Sequence, residues 1–172
     1  MPRIALLALV VFATPAFAAT RFNTSDDRAL TAFRLTTENV RKAAAVTRQI
    51  AGEAAKDPAL ARAVEKRGQH ADSIDAKAKA LESDPRIKSA LRDQSITARE
   101  YVMVQIAALQ AGMIAAMKAQ GAEIDPSKIA EAMNPANVDF LESHPQEMEA
   151  LRRSQQALQY PGKRGDPGSE AK

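Results

Sequence analysis

The chain has no cysteine, no tryptophan and only two histidines, and aromatic residues make up 4% of it. Without thiols there is no disulfide, no thiolate metal site and no cysteine nucleophile, so packing alone must hold the fold. The two histidines, His70 and His144, restrict nucleophile–base chemistry to their surroundings, and neither sits in a recognisable catalytic pattern. A Gly-x-Ser-x-Gly elbow, a glycine-rich phosphate loop and a His-Glu-x-x-His pair are all missing, which removes the commonest hydrolase and nucleotide-binding signatures. The chain therefore reads as a non-enzyme that calls for no cofactor. Charge of one sign is lacking too: the net charge is +3, with acids and bases interleaved as in Arg62, Glu65, Lys66 and Arg67. Such a surface implies neither nucleic acid nor an anionic membrane as partner.

What is present starts at the N-terminus. Met1, Pro2 and Arg3 precede an unbroken apolar run from Ile4 to Ala13, and Ala16-Phe17-Ala18 follows with small-x-small spacing. That is the pattern of a secretory signal peptide cleaved after Ala18. The run is well short of the about 20 residues that a bilayer span needs. No cysteine follows it to be acylated, so the expectation is a soluble periplasmic or secreted protein without a lipid anchor. The remaining chain has ordinary single-domain length. Its expected layout is signal peptide 1–18, flexible lead-in 19–35 with one turn at Ala29 to Phe33, helical domain 36–159 and disordered tail 160–172.

Alanine is abundant, glycine scarce, and every proline from Pro58 to Pro145 stands where a helix begins, so the domain reads as all-α. Helix one has Thr36 as N-cap, a Leu35/Val40 staple, an end near Lys56 and an inner stripe of Val40, Ala43, Ala44, Thr47, Ile50, Ala51 and Ala54. Asp57-Pro58 opens a second helix with Leu60 and Val64 inside, ending at Gly68, and a third from about Asp72 presents Ile74, Ala78 and Leu81. Asp84-Pro85 repeats the Asp57-Pro58 pattern with Ile87 and Leu91 inside. Common helix-start chemistry explains the repeat, and a helical-hairpin duplication is the alternative.

Thr97-Ala98-Arg99-Glu100 spells a capping box, Ile96 and Tyr101 add a staple, and Gly121 is a natural C-terminal stop. Between Val102 and Met117 only Gln105 and Gln110 are polar, so Thr97 to Gln120 is expected as the central apolar helix of a single-domain bundle of about five to seven helices. Two glutamines in so short a run argue against stable membrane insertion after processing. One side carries Val102, Ile106, Leu109, Met113 and Met117; the other carries Ala107, Ala111, Ala115 and Ala119 beside Ala108, Gly112 and Ala116. The small side is expected to pack closely on helix one. Short helices from Asp125-Pro126, Asn134-Pro135 and His144-Pro145 then cap the bundle's end.

Candidate ligand groups are sparse. His70 with Asp72 and Asp75, or Glu142 with His144, offers two or three metal ligands of the kind that polar turns collect by chance. Met113 and Met117 share a face and suit soft copper or a haem iron, although methionine at that spacing is ordinary core filler. Gln105 and Gln110 point roughly 140° apart and do not form one site. Tyr101 and Gln105, one turn apart, are the candidate ligand residues of a polar notch, against the alternative of a partly exposed or backbone-satisfied pair.

Ile96-Thr97-Ala98-Arg99-Glu100-Tyr101, Ala107-Ala108-Leu109-Gln110-Ala111-Gly112-Met113 and Asn134-Pro135-Ala136-Asn137-Val138-Asp139-Phe140 together resemble a family of small exported bacterial helical proteins with no assigned activity. The resemblance covers about half the mature chain and implies fold and compartment only. The functional expectation is a binding or interaction role in the cell envelope, toward a protein partner or an apolar ligand. The alternatives are a periplasmic stress chaperone, without the Leu-Thr-x-x-Gln repeat of one such family, a metal- or haem-binding bundle, and an enzyme with an unrecognised site at His70 or at Tyr101 and Gln105. An alanine face packs equally well within one chain or between two, which leaves a homodimer open.

Overall fold

The computed structural model describes residues 24–57, 59–60, 62–63 and 71–160. Over these residues the chain is all-α, with helices α1 (Thr24–Ala32), α2 (Thr37–Lys56), α3 (Ile74–Glu82), α4 (Pro85–Asp93), α5 (Ala98–Ala119), α6 (Pro126–Ala132), α7 (Ala136–Ser143) and α8 (Pro145–Gln159). Residues 59, 60, 62 and 63 are also helical. The signal-peptide pattern, Pro58, Val64, Gly68, His70 and the tail from 161 lie outside the described residues.

Local chemistry sets most helix starts. Thr36 accepts the Asn39 N–H at 3.2 Å and the Asn39 side chain accepts the Thr36 N–H at 2.9 Å, a closed capping box with asparagine in the usual Glu/Gln place. Asp84 and Asp125 each precede a proline and accept the N–H two residues on, both at 2.9 Å. Thr97 accepts the Glu100 N–H at 3.1 Å. Ser73, one residue beyond the expected Asp72, caps α3 at 3.0 Å from the Ala76 N–H. The end of α5 is as the sequence indicates. Gly121 takes φ +81°, its N–H reaches the Lys118 carbonyl at 2.9 Å, and the Ala122 N–H reaches Met117 at 3.0 Å, closing a Schellman motif.

Packing departs from expectation in three places. First, part of the segment expected as a lead-in is helical: from residue 24 it forms α1, and Leu30 and Leu35 are buried to 1% and 2% exposure. Asp26, itself buried, accepts the Ile74 N–H at 3.0 Å and so ties α1 to the start of α3. These anchors are single residues far from their partners in sequence, so no periodicity announces them. The additional helix also takes the number among the described residues to eight, above the five to seven expected.

Second, the inner stripe of α2 is buried throughout, but its main partner is α8 and not α5. Arg41 meets Glu147 at 3.0 Å near the two helix starts, and Arg48 faces Ser154 and Ala157 further along, so α2 and α8 run in the same direction. The last stretch is thus a 15-residue bundle member and not a short cap. Its inward face includes Ser154 beside Leu151, and a serine there hides the apolar period.

Third, α5 is central only over its first part. Tyr101 to Val104, Ile106 to Ala108 and Ala111 are buried, whereas from Gly112 onward no residue of the helix is. The first part packs against α3 and α2, and α7 covers one flank. Ala111, fully buried, sits with Ile129, Met133 and Val138 in a small second core between α5, α6 and α7. Ala98–Ala119 is also, among the described residues, the one helix long and apolar enough to cross a membrane by length and composition.

Candidate functional site

The notch expected at Tyr101 and Gln105 exists as a pair, but side chains from two other helices fill it. Thr47 comes from the inner stripe of α2, with its hydroxyl 2.9 Å from the Tyr101 hydroxyl and 2.9 Å from the Ala43 carbonyl. Gln105 Nε2 donates to Thr47 Oγ1 at 3.3 Å, and Gln155 of α8 donates to Gln105 Oε1. Four polar side chains from three helices therefore bond to one another in a line that runs from the buried Thr47 and Tyr101 to the part-buried Gln105 and Gln155. Burial pushes the Tyr101 phenol above its ordinary pKa, and its hydrogen bonds to Thr47 and Gln105 pull it part of the way back. The phenol stays neutral, with no base beside it in this chain of contacts. This arrangement positions helices, and it engages the tyrosine hydroxyl together with one donor and one acceptor of the glutamine within the chain.

The other candidates separate. Ser143 Oγ lies 3.1 Å from His144 Nδ1, which superficially suggests a nucleophile and base. The serine, however, bonds to the Asp139 carbonyl at 2.6 Å, and Nδ1 lies 3.1 Å from the Phe140 carbonyl, which only a protonated Nδ1 satisfies. The His144 ring stacks on Phe140 with centroids 4.1 Å apart, so it finishes α7 and does not project as a catalytic group. Asp75 pairs with Arg99, and His70 lies outside the described residues. No group of three or more His, Asp or Glu able to hold a metal occurs among the described residues.

Two surface features remain. A groove of about 240 Å³, open to solvent, runs between α2 and α8 and is lined by Arg48, Ala150, Arg153, Ser154 and Ala157. Arg153 is engaged with Glu149 at 2.7 Å, and Arg48 is the groove's other charged residue.

The second is the outer stripe of α5. Leu109, Met113 and Met117, expected inside, are 38%, 53% and 45% exposed and stand at successive four-residue spacing on one helix face. The residues beside them on that face are Gln110, Ala116 and Gln120, all uncharged. Gln110 Oε1 is buried without a hydrogen-bond partner, a local cost at the edge of the same stripe.

No family model, no curated protein and no solved structure matches this chain. The site thus stands on its geometry. Sequence reasoning found Tyr101 and Gln105 and placed Thr47 inside, but it had no means to find Gln155, one of several glutamines on a polar-looking helix. It also put the α5 stripe in the core, because helical periodicity marks an apolar face without showing whether a neighbour covers it.

Proposed function

We propose that this chain is an exported, non-enzymatic helical protein that acts in the cell envelope by presenting the outer stripe of α5 to a protein partner. The observation that supports this is the exposure of Leu109, Met113 and Met117 together on one uncharged face. Every other large apolar side chain among the described residues is less exposed than these three, apart from Tyr160 at 57% exposure. Scattered exposed apolar residues are ordinary, but a contiguous stripe at helical spacing is a recognition surface. Full burial of a leucine or methionine is worth about 1.5–3 kcal/mol relative to exposure, so covering the remaining exposed parts yields a modest, reversible affinity. The leader pattern over Met1 to Ala18 and the resemblance to exported helical proteins support the compartment.

The test is a photo-crosslinking residue at position 113 in the exporting host, compared with one at the exposed Arg152. A discrete adduct at 113 that disappears in Leu109→Lys/Met117→Lys, with none at 152, is the expected result. Equal adducts at both positions would overturn the reading.

A second reading has one observation in its favour: two of the three stripe residues are methionines, whose flexible thioethers adapt to varied apolar surfaces. That suits a chaperone for unfolded envelope proteins. Suppression of client aggregation at substoichiometric dose, lost in Met113→Lys/Met117→Lys, would favour it over a dedicated partner.

A further inference from the structure

We propose that Met113 and Met117 form a methionine-oxidation site that converts the outer stripe of α5 from apolar to polar, a regulation that rests on the interaction reading above. With no cysteine in the chain, methionine thioethers are its only sulfur and the first target of a two-electron oxidant. The structure sorts them sharply by access. Met103 and Met133 are 8% and 1% exposed and Met148 is half-buried, whereas Met113 and Met117 are 53% and 45% exposed.

The chemistry needs only a peroxide or hypohalous acid from the surroundings. The sulfur lone pair attacks the terminal oxygen of the oxidant, the S–O bond forms, and the O–O or O–Cl bond breaks. Water leaves in the first case, chloride and a proton in the second. Each sulfur loses two electrons, the oxidant gains them, and each thioether takes up one oxygen atom.

Position makes the change consequential without making it destructive. Residues 113 and 117 are one turn apart, so two sulfoxide dipoles appear side by side next to Leu109 on a face that has no charge to mask them. Both side chains already stand in water, so the sulfoxides remain hydrated and the helix keeps its packing. The same oxygen on Met133, enclosed with Ala111, Ile129 and Val138, would place a strong dipole in an apolar core. Exposure also leaves both sulfoxides open to reduction by methionine sulfoxide reductases, which makes the modification reversible.

The experiment treats the full chain with hydrogen peroxide, follows oxidation residue by residue by peptide mass mapping, and reads the stripe with the fluorescent apolar probe anilinonaphthalene sulfonate. Met113 and Met117 should oxidise about tenfold or more faster than Met103 and Met133. Probe fluorescence should fall in step while far-ultraviolet circular dichroism holds, and both epimer-specific reductases together should restore it. Met113→Leu/Met117→Leu should bind the probe and ignore peroxide. Oxidation of Met103 or Met133 at the same rate, or selective oxidation that leaves the probe signal unchanged, would overturn the proposal. Failure of the interaction reading shows elsewhere, as equal crosslinking at positions 113 and 152 in the unoxidised protein.

Discussion

Asn137 Oδ1 accepts the backbone N–H of Leu35 at 2.7 Å, across more than a hundred residues of chain. The same side chain donates to the Phe33 carbonyl at 3.0 Å and is itself fully buried. One amide on α7 thus satisfies the Phe33 carbonyl and the Leu35 N–H of the segment between α1 and α2, which has no secondary structure of its own to do so. Asn137→Ala should cost about 2–3 kcal/mol, because it leaves a buried N–H and a part-buried carbonyl unpaired at once. Urea unfolding measures it, and a loss no greater than that of an exposed control such as Glu142→Ala would show that water replaces the amide.

Ala111→Leu should destabilise by about 1–3 kcal/mol through overpacking. The reason lies in the small core of Ile129, Met133 and Val138, and not in contact with α2. Ala119→Leu, on the exposed last turn of the same helix, should stay within about 0.5 kcal/mol of the parent. Thermal melts of the pair decide it, and equal effects at both positions would mean that the outer half of α5 is covered as well.

Tyr101→Phe should cost about 1 kcal/mol, since Thr47 keeps its bonds to Ala43 and Gln105 when the phenol hydroxyl is removed. Its pH consequence has a definite sign. A phenol held above its ordinary value binds its proton more tightly folded than unfolded, so this term is constant below about pH 10 and lowers stability as the pH rises through that value. Tyr101→Phe should therefore remove part of the alkaline loss, as seen by denaturant midpoints across that range.

Glu149 accepts from Arg152 at 2.6 Å and from Arg153 at 2.7 Å, and the two guanidiniums hold its pKa down to about 2. A depressed carboxylate stabilises the fold above its unfolded pKa, and the contribution fades as the pH falls from about 4.5 toward 2. Its side chain is a third exposed, so solvent screening keeps the effect under about 1 kcal/mol. Carboxyl-carbon NMR titration reads it directly. An unshifted titration would show that both pairs are transient in solution.

The legible part of this protein was local. Thr36, Asp84, Thr97, Asp125 and Gly121 mark helix ends because capping involves groups within a few residues, and the stripe of α2 repeats every three or four residues because one face points inward. Tyr101 and Gln105 were recognisable as a polar pair for the same reason, being one turn apart. Their partners lie far off in the chain, Thr47 54 residues from Tyr101 and Gln155 50 residues from Gln105, and nothing in the intervening chain ties the pair to them.

The sequence by itself determined the all-α class, the starts and stops of most helices and which faces are apolar, since backbone capping and side-chain period act over one or two turns. Only the tertiary structure decided that α2 lies along α8, that Asn137 clamps Leu35, and that the stripe of Leu109, Met113 and Met117 faces outward. An apolar face states only that burial would be favourable. Whether a neighbour reaches it depends on helix directions and crossings summed over the whole chain, and in the outer half of α5 Ile114 meets the second core while the stripe of Leu109, Met113 and Met117 is left exposed.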